Sequence, residues 1–216
     1  MSKISLVNLC IYFIVFISQV FTCPEKNGRF PIGNSCDKYL ECVDGVGEEK
    51  QCPDGLRFNE KASLFTYPCQ YPIDVDCGAR SLLQPAKPSD DCPHQFGYFR
   101  MGTKPSECNQ FLNCVDGRAY VFECPEGLAF NPETYHCDWP DVVEDCDAAG
   151  YLGFQCPADP KVEGLGFQEY RFYQKPGDCQ RYFLCVNGNP RLYNCGDGNY
   201  FDSNLRTCTN ETTTCV

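Results

Sequence analysis

Histidine, tryptophan and methionine are scarce: 216 residues hold two, one and two of them respectively. The histidines are His94 and His136, and no two cysteines stand two residues apart, so the paired knuckles of a zinc module are missing. Neither a Ser-His-Asp nor a Cys-His arrangement finds support in so few histidines. No metal or cofactor is expected. Basic residues are also few, 18 against 29 acidic ones, for a net charge of −11. That balance argues against nucleic acid and anionic lipid as partners. A neutral polymer, or one carrying amines, stays compatible. No stretch sustains a helical apolar period, so helix content should be low.

Long apolar runs are confined to the start of the chain. Met1-Ser2-Lys3 precedes a run from Ile4 to Phe21 broken only by Ser5, Asn8, Ser18 and Gln19. A basic residue before such a run, with small Thr22 ahead of Cys23, reads as a signal peptide over 1–22. The competing reading is a retained anchor, since the run approaches spanning length. Cleavage removes Cys10 and Lys3, leaving 194 residues, a net charge of −12 and no membrane segment. Eighteen cysteines remain, about 9% of the mature chain, the density of a disulfide scaffold in an oxidising compartment.

What the chain has in abundance is a repeat. The stretch CNQFLNCVDGRAYVFEC from Cys108 to Cys124 has the spacing C-x5-C-x9-C, which recurs from Cys36 to Cys52 and from Cys179 to Cys195. Extended outward, the cysteines form three sets of six with gaps of 12-5-9-16-7, 15-5-9-12-8 and 22-5-9-12-6. The repeats occupy 23–77, 92–146 and 156–215, with linkers at 78–91 and 147–155. Pro85 and Pro88 make the first linker a semi-extended spacer. The longer first gap of the third repeat reads as an enlarged loop. Repeats of 55 to 60 residues cannot bury a generous core, and bridges would offset that deficit. Spacing alone leaves fifteen pairings open in each repeat.

Each repeat carries a hairpin signal: Asp44-Gly45, Asp116-Gly117 and Asn187-Gly188. A two-residue turn at Asp116-Gly117 places Asn113 opposite Tyr120 and Phe111 opposite Phe122. Alternation puts those four on one face, and Leu112, Cys114, Ala119 and Val121 on the other, which is expected to hold the disulfide and the core. The third repeat places Tyr182 opposite Tyr193 and Leu184 opposite Arg191. In the first, Tyr39 faces Lys50 and Glu41 faces Glu48, with no ring pair. After the fourth cysteine, Pro53-Asp54-Gly55-Leu56-Arg57-Phe58-Asn59 matches Pro125-Glu126-Gly127-Leu128-Ala129-Phe130-Asn131, and Gly196 to Asp202 follows more loosely. A turn and a short strand are implied there, with Phe58, Phe130 and Phe201 in the core.

Aromatic rings on a rigid surface suit the flat C–H patches of sugars, and side-chain amides suit their polar edges. The hairpin residues Phe111, Asn113, Tyr120, Phe122, Tyr182 and Tyr193 are therefore candidates for carbohydrate contact. The alternative is that cross-strand rings stabilise the sheet without any ligand. Further candidates follow the fifth cysteine, where Cys137-Asp138-Trp139-Pro140 and Cys69-Gln70-Tyr71-Pro72 hold a ring between a bridge and a proline. Trp139 and Tyr71, with Asp138, are expected to be pre-organised for stacking. The third repeat has Thr209-Asn210-Glu211 there, and Asn210-Glu211-Thr212 is a glycosylation sequon.

The six-cysteine spacing, the aromatic three residues before each third cysteine, C-P-x-G-L-x-F-N and C-D-W-P together resemble the type-2 chitin-binding (peritrophin-A) domain. Three such repeats behind a leader, the first with a longer fourth gap, resemble the obstructor-type cuticular proteins analogous to peritrophins of arthropods. The resemblance implies a small disulfide-rich all-β fold, each domain a three-stranded antiparallel sheet plus a hairpin. It implies pairing one–three, two–six and four–five: Cys23–Cys42, Cys36–Cys77 and Cys52–Cys69; Cys92–Cys114, Cys108–Cys146 and Cys124–Cys137; Cys156–Cys185, Cys179–Cys215 and Cys195–Cys208. Tyr71 and Trp139 take the family's sugar-stacking position, from which the third repeat departs. The implied function is a secreted, non-catalytic protein that organises or crosslinks chitin in an extracellular matrix such as cuticle. Its partners would be chitin and, beyond it, other matrix proteins or chitin-modifying enzymes. A peritrophic-membrane component, or a disulfide-rich defence or inhibitor protein, is the alternative. A chitinase barrel needs ~250 residues, more than the mature chain offers.

Overall fold

The computed structural model describes residues 22–158 and 171–210. The signal-peptide expectation, residues 159–170 of the long first gap in the third repeat and the Cys179–Cys215 pair fall outside the described residues; the rest of that gap holds a strand, Arg171–Lys175, where only a loop is expected from the sequence.

The same arrangement is built three times. In the first repeat β1 (Gly28–Pro31), β2 (Lys38–Val43) and β3 (Val46–Gln51) form an antiparallel sheet in sequence order, and β4 (Arg57–Phe58) pairs with β5 (Cys69–Gln70). The second has a sheet of β6 (Gly97–Arg100), β7 (Gln110–Val115) and β8 (Arg118–Glu123), then a hairpin of β9 (Ala129–Asn131) and β10 (His136–Asp138). The third has β11 (Arg171–Lys175), β12 (Asp178–Val186) and β13 (Asn189–Asn194), then β14 (Tyr200–Asp202) and β15 (Thr207–Thr209).

The long hairpins turn where the dipeptides predict. Asp44, Asp116 and Asn187 sit at φ 51°, 52° and 51°, each followed by a glycine of positive φ. Short polar side chains and glycine tolerate that left-handed region, which fixes the two-residue loop and hence the register. The cross-strand partners are those counted from the turn: Phe111 with Phe122, Asn113 with Tyr120, Tyr182 with Tyr193, and Tyr39 with Lys50.

One phenylalanine on each short hairpin anchors each core. Phe58, Phe130 and Phe201 are at most 1% exposed. A ring from the middle strand stacks on each, Tyr39 on Phe58 at 4.7 Å, Phe111 on Phe130 at 4.4 Å and Tyr182 on Phe201 at 4.2 Å. This corrects the face assignment made from alternation. The turn after the fourth cysteine folds the short hairpin back beneath the face bearing Tyr39, Phe111 and Tyr182, so that face covers the core phenylalanine. On the opposite face Cys114 is buried in its bridge, whereas Val121 is exposed.

Among the described residues eight disulfides pin this arrangement: Cys23–Cys42, Cys36–Cys77, Cys52–Cys69, Cys92–Cys114, Cys108–Cys146, Cys124–Cys137, Cys156–Cys185 and Cys195–Cys208. The segments between repeats are ordered against their neighbours. Leu82 receives a hydrogen bond from the Cys36 amide and donates to the Asn34 carbonyl. Gln84 donates through its backbone to Asp37 and through its side chain to the Cys52 carbonyl. Within 147–155 lies a short helix, α1 (Ala148–Leu152), capped by Asp147 and closed by Gly153 at φ 65°. Five residues are too few to show a helical period, so the sequence presented α1 as linker.

Candidate functional site

Across the second sheet, Tyr98, Asn113 and Tyr120 form one row and Arg100, Phe111 and Phe122 the next. Tyr120 and Phe122 are 50% and 48% exposed. Phe111 is half-buried, held between Phe122 at 5.6 Å and Phe130 beneath it. Its ring thus belongs more to the core than to the surface. Asn113 Oδ1 is buried and has no hydrogen-bond partner among the described residues. In the third sheet Tyr182 and Tyr193 stack at 5.5 Å and are half-buried. Gln174 is paired with Tyr182 in register, and its Nε2 is likewise buried without a partner among the described residues.

The first sheet offers no ring on this face. Tyr39 is buried in the core, and Arg29 pairs with Glu41 at 3.0 Å. Exposed apolar residues occur instead on the turn between β4 and β5, where Leu64 and Tyr67 flank a Phe65 that is 101% exposed. The turn is held by Arg29 donating to the Thr66 carbonyl at 2.8 Å and by the Thr66 amide donating to Ser63 at 3.0 Å. Sequence reasoning passed over these residues. The available signal was the fourth gap, 16 residues here against 12 in the other repeats.

Tyr71 and Trp139 each occupy an extended residue ahead of a single 3-10 turn, Pro72–Asp74 and Pro140–Val142. The proline fixes where the chain turns, and the Tyr71 ring packs against the core of its own repeat as well as on the next one. Tyr71 packs against Tyr98 at 5.2 Å and edge-on to Tyr135 at 6.1 Å. Trp139 packs against Tyr193 of the third repeat at 4.9 Å, with the Arg191 guanidinium 5.4 Å from its ring. Burial pushes the Tyr71 hydroxyl up, with Tyr98 adding to the shift. Asp138 accepts from Asn131 at 2.9 Å and Thr134 at 3.1 Å, so its carboxylate braces the short hairpin. Asn210 is exposed.

Both junctions are fixed by polar contacts. Asp54, with a side chain 2% exposed, accepts from the backbone amides of Lys87 and Gln95 at 2.8 and 3.1 Å, and is hydrogen-bonded to His94 Nδ1 at 2.8 Å. Gly55 next to it, at φ 95°, lies so close to the Phe96 carbonyl that a Cβ would overlap it. At the second junction Arg191 clamps Asp141 through two hydrogen bonds of 2.9 and 2.8 Å, and Arg181 meets Glu126 at 2.8 Å. Gly127, the counterpart of Gly55, faces Leu192 closely. The glycine of C-P-x-G-L thus marks where the next repeat docks.

Asp54 gives the first junction a pH dependence. Burial pushes its carboxyl up, but hydrogen bonds from His94, Lys87 and Gln95 outweigh this and hold it below the ordinary 3.8. A carboxyl depressed by folding stabilises the folded form above its unfolded pKa, and that contribution is lost as pH falls through the folded value. The junction is expected to be unchanged between neutrality and about pH 4, and to loosen below. Melting curves of wild type and Asp54→Asn check this. The wild-type curve should lose more stability below pH ~4 than that of the variant.

These features define a class: small disulfide-stapled β modules, repeated in tandem, that carry aromatic rings on their sheets. No group of three metal-ligating side chains occurs among the described residues. The chain belongs to the family of the chitin binding peritrophin-A domain, whose model matches at residues 23–77, 92–146 and 167–215. It is 47% identical over 198 residues to protein obstructor-E of Drosophila melanogaster, an alignment covering 86% of this chain and 77% of that protein. It is 34% identical over 115 residues to peritrophin-1 of Anopheles gambiae, covering 50% of this chain and 72% of that protein. Similarity to probable chitinase 10 of Drosophila melanogaster is 24% over 209 residues and covers only 9% of that protein.

Proposed function

We propose that this chain is a secreted, non-catalytic chitin-binding protein that organises or crosslinks the polymer in an extracellular matrix. The observation that carries the reading is threefold occurrence of the peritrophin-A domain on rigid, disulfide-pinned sheets. The eight bridges among the described residues suit an oxidising, extracellular setting. No helix among the described residues is long and apolar enough to cross a membrane.

Binding is assigned to Tyr120, Phe122 and Asn113 on the second sheet, Tyr182 and Tyr193 on the third, and the rings of Tyr71 and Trp139. Phe111 supports Phe122 from below, and Asp138 holds the hairpin that carries Trp139. Residues 23–77, 92–146 and 156–215 act as the three modules. Several weak modules on one chain gain ~10²–10⁴ in avidity on a repeating polymer when all reach it together. Such a chain needs no single strong site.

The oxidised protein is expected to be depleted from solution by chitin beads, released only by denaturant, and to liberate no reducing ends from colloidal chitin. Bead binding with reducing-end release above a heat-killed control would make it an enzyme. Dose-dependent inhibition of a protease or of growth, without bead binding, would favour the inhibitor reading.

A further inference from the structure

Register makes the three sheets comparable row by row, and the first differs from the others. Its row Arg29–Glu41–Glu48 stands where the second repeat has Tyr98–Asn113–Tyr120. Its Lys50 stands where the others have Phe122 and Tyr193. Charges thus occupy the places of rings. They pair among themselves, Arg29 with Glu41 at 3.0 Å and Lys50 with Glu48 at 2.8 Å. Neither Glu48 nor Lys50 is buried by its pairing, so both heads still face water.

The turn between β4 and β5 is tied to this same face. Arg29 Nε donates to Glu41 while its Nη1 donates to the Thr66 carbonyl. The Tyr39 hydroxyl is pushed up by burial first, then by Glu41, with Tyr67 adding to the shift, which sets Tyr67 beside that face. The second repeat repeats the placement, since Tyr135 on the corresponding turn packs on Tyr98 at 5.3 Å. Counted back from the fifth cysteine, Tyr67 is the counterpart of Tyr135, so Leu64 and Phe65 fall in the lengthened part of the turn. That part is ordered. Ser63 Oγ and Thr66 Oγ1 share a hydrogen bond of 2.8 Å, and the Asn59 amide donates to the Pro68 carbonyl at 2.8 Å. Apolar side chains grouped in the open on one ordered turn mark a contact surface. A ring already held in place loses little freedom on binding.

We infer that Phe65, with Leu64 and Tyr67 beside it, is the sugar-stacking surface of the first repeat, supplying from a loop the open ring that its sheet lacks. The ligand is the same N-acetylated hexose polymer, so this rests on the chitin-binding reading. Position names the occupant. The turn is anchored on the face whose counterparts carry Tyr120 and Phe122 in the second repeat and Tyr193 in the third. An uncovered ring face takes the C–H side of a pyranose, and the Glu48 and Lys50 heads offer an acceptor and a donor for its hydroxyls. An apolar protein surface or a lipid surface would instead desolvate those charges without repaying them.

Hydroxyl-radical footprinting of the full oxidised chain, free and on chitin beads, reads the surface directly. Phe65 and Tyr67 should be labelled in the free chain and protected several-fold on chitin. In bead isotherms Phe65→Ala should weaken retention about three- to tenfold with an unchanged melting curve, since the ring is fully exposed. Phe65→Tyr should bind as wild type does, and Phe65→Leu should be as weak as Phe65→Ala, because stacking needs a ring. Equal labelling of Phe65 in the free and bound chain, or wild-type retention by Phe65→Ala, would overturn the assignment while leaving chitin binding to the other repeats. Full retention by Phe65→Leu would also overturn it, by showing that any apolar group serves. Co-sedimentation with phosphatidylcholine vesicles, or self-association, that Phe65→Ala abolishes without touching bead retention would give the turn to a lipid surface or a second copy. A wild-type chain that chitin does not retain would remove the chitin reading and this inference with it.

Discussion

Phe130→Ala is expected to cost about 3–5 kcal/mol and to abolish native packing in the second repeat. The ring is fully buried, stacked at 4.4 Å beneath Phe111, and serves as the main apolar anchor of a hairpin only a few residues long. A repeat of this size has little else to bury, so the cavity cannot be refilled from neighbouring side chains. Domain stabilities of ~5–15 kcal/mol leave a small module close to unfolding after such a loss. The three bridges of the repeat will still cross-link the chain. The expected signature is therefore loss of near-ultraviolet dichroism and of a cooperative melting step, without a change in disulfide content. Phe58→Ala and Phe201→Ala should behave alike in their own repeats, where the same ring is stacked on Tyr39 and Tyr182. A Phe130→Ala chain that melts like wild type would show that the bridges alone hold the fold.

Replacing Tyr120 and Phe122 together by alanine should do the reverse, weakening polymer binding while sparing the fold. Both rings stand about half exposed on the edge strand β8, and their removal opens no internal cavity. The stability change should stay within about 1 kcal/mol, as for other surface substitutions, with the Phe111–Phe122 stack as its main source. Each ring lost from a binding face removes about 0.5–1.5 kcal/mol, so the pair lowers the affinity of that face about tenfold. On a multivalent chain the bead isotherm should shift by a similar factor, because the other faces keep their own contacts. Unchanged retention with unchanged melting would remove the second hairpin from the binding surface and leave it to the junctions.

Some of this arrangement could be read in the residues and some could not. The hairpin registers were available because Asp44-Gly45, Asp116-Gly117 and Asn187-Gly188 set both the loop length and the side-chain parity. The core phenylalanines followed from a turn and a short alternation. Which face of the sheet would cover them did not, since alternation divides residues into two groups without saying which group turns inward. The disulfide pairing came with the resemblance, as spacing alone leaves it undetermined. Packing of Tyr71 on Tyr98 and of Trp139 on Tyr193 was invisible for a different reason. Both contacts join residues of separate repeats, and the C-P-x-G-L glycine that marks the docking place reads from the sequence only as a turn residue. Phe65 was overlooked because an insertion announces only extra length.

The segment between the first two repeats has a bearing on how the protein survives outside the cell. Proteases cut where backbone can be drawn into their clefts as an extended strand, and a linker carrying Arg80 ahead of Ser81 would ordinarily invite trypsin-like attack. Here the amides of Leu82, Gln84 and Lys87 are already engaged by the first repeat. Cleavage must wait for that segment to peel away, which couples digestion of the link to opening of the folded modules on either side. Resistance to cleavage thus comes from where the connecting backbone lies as much as from the bridges inside each module.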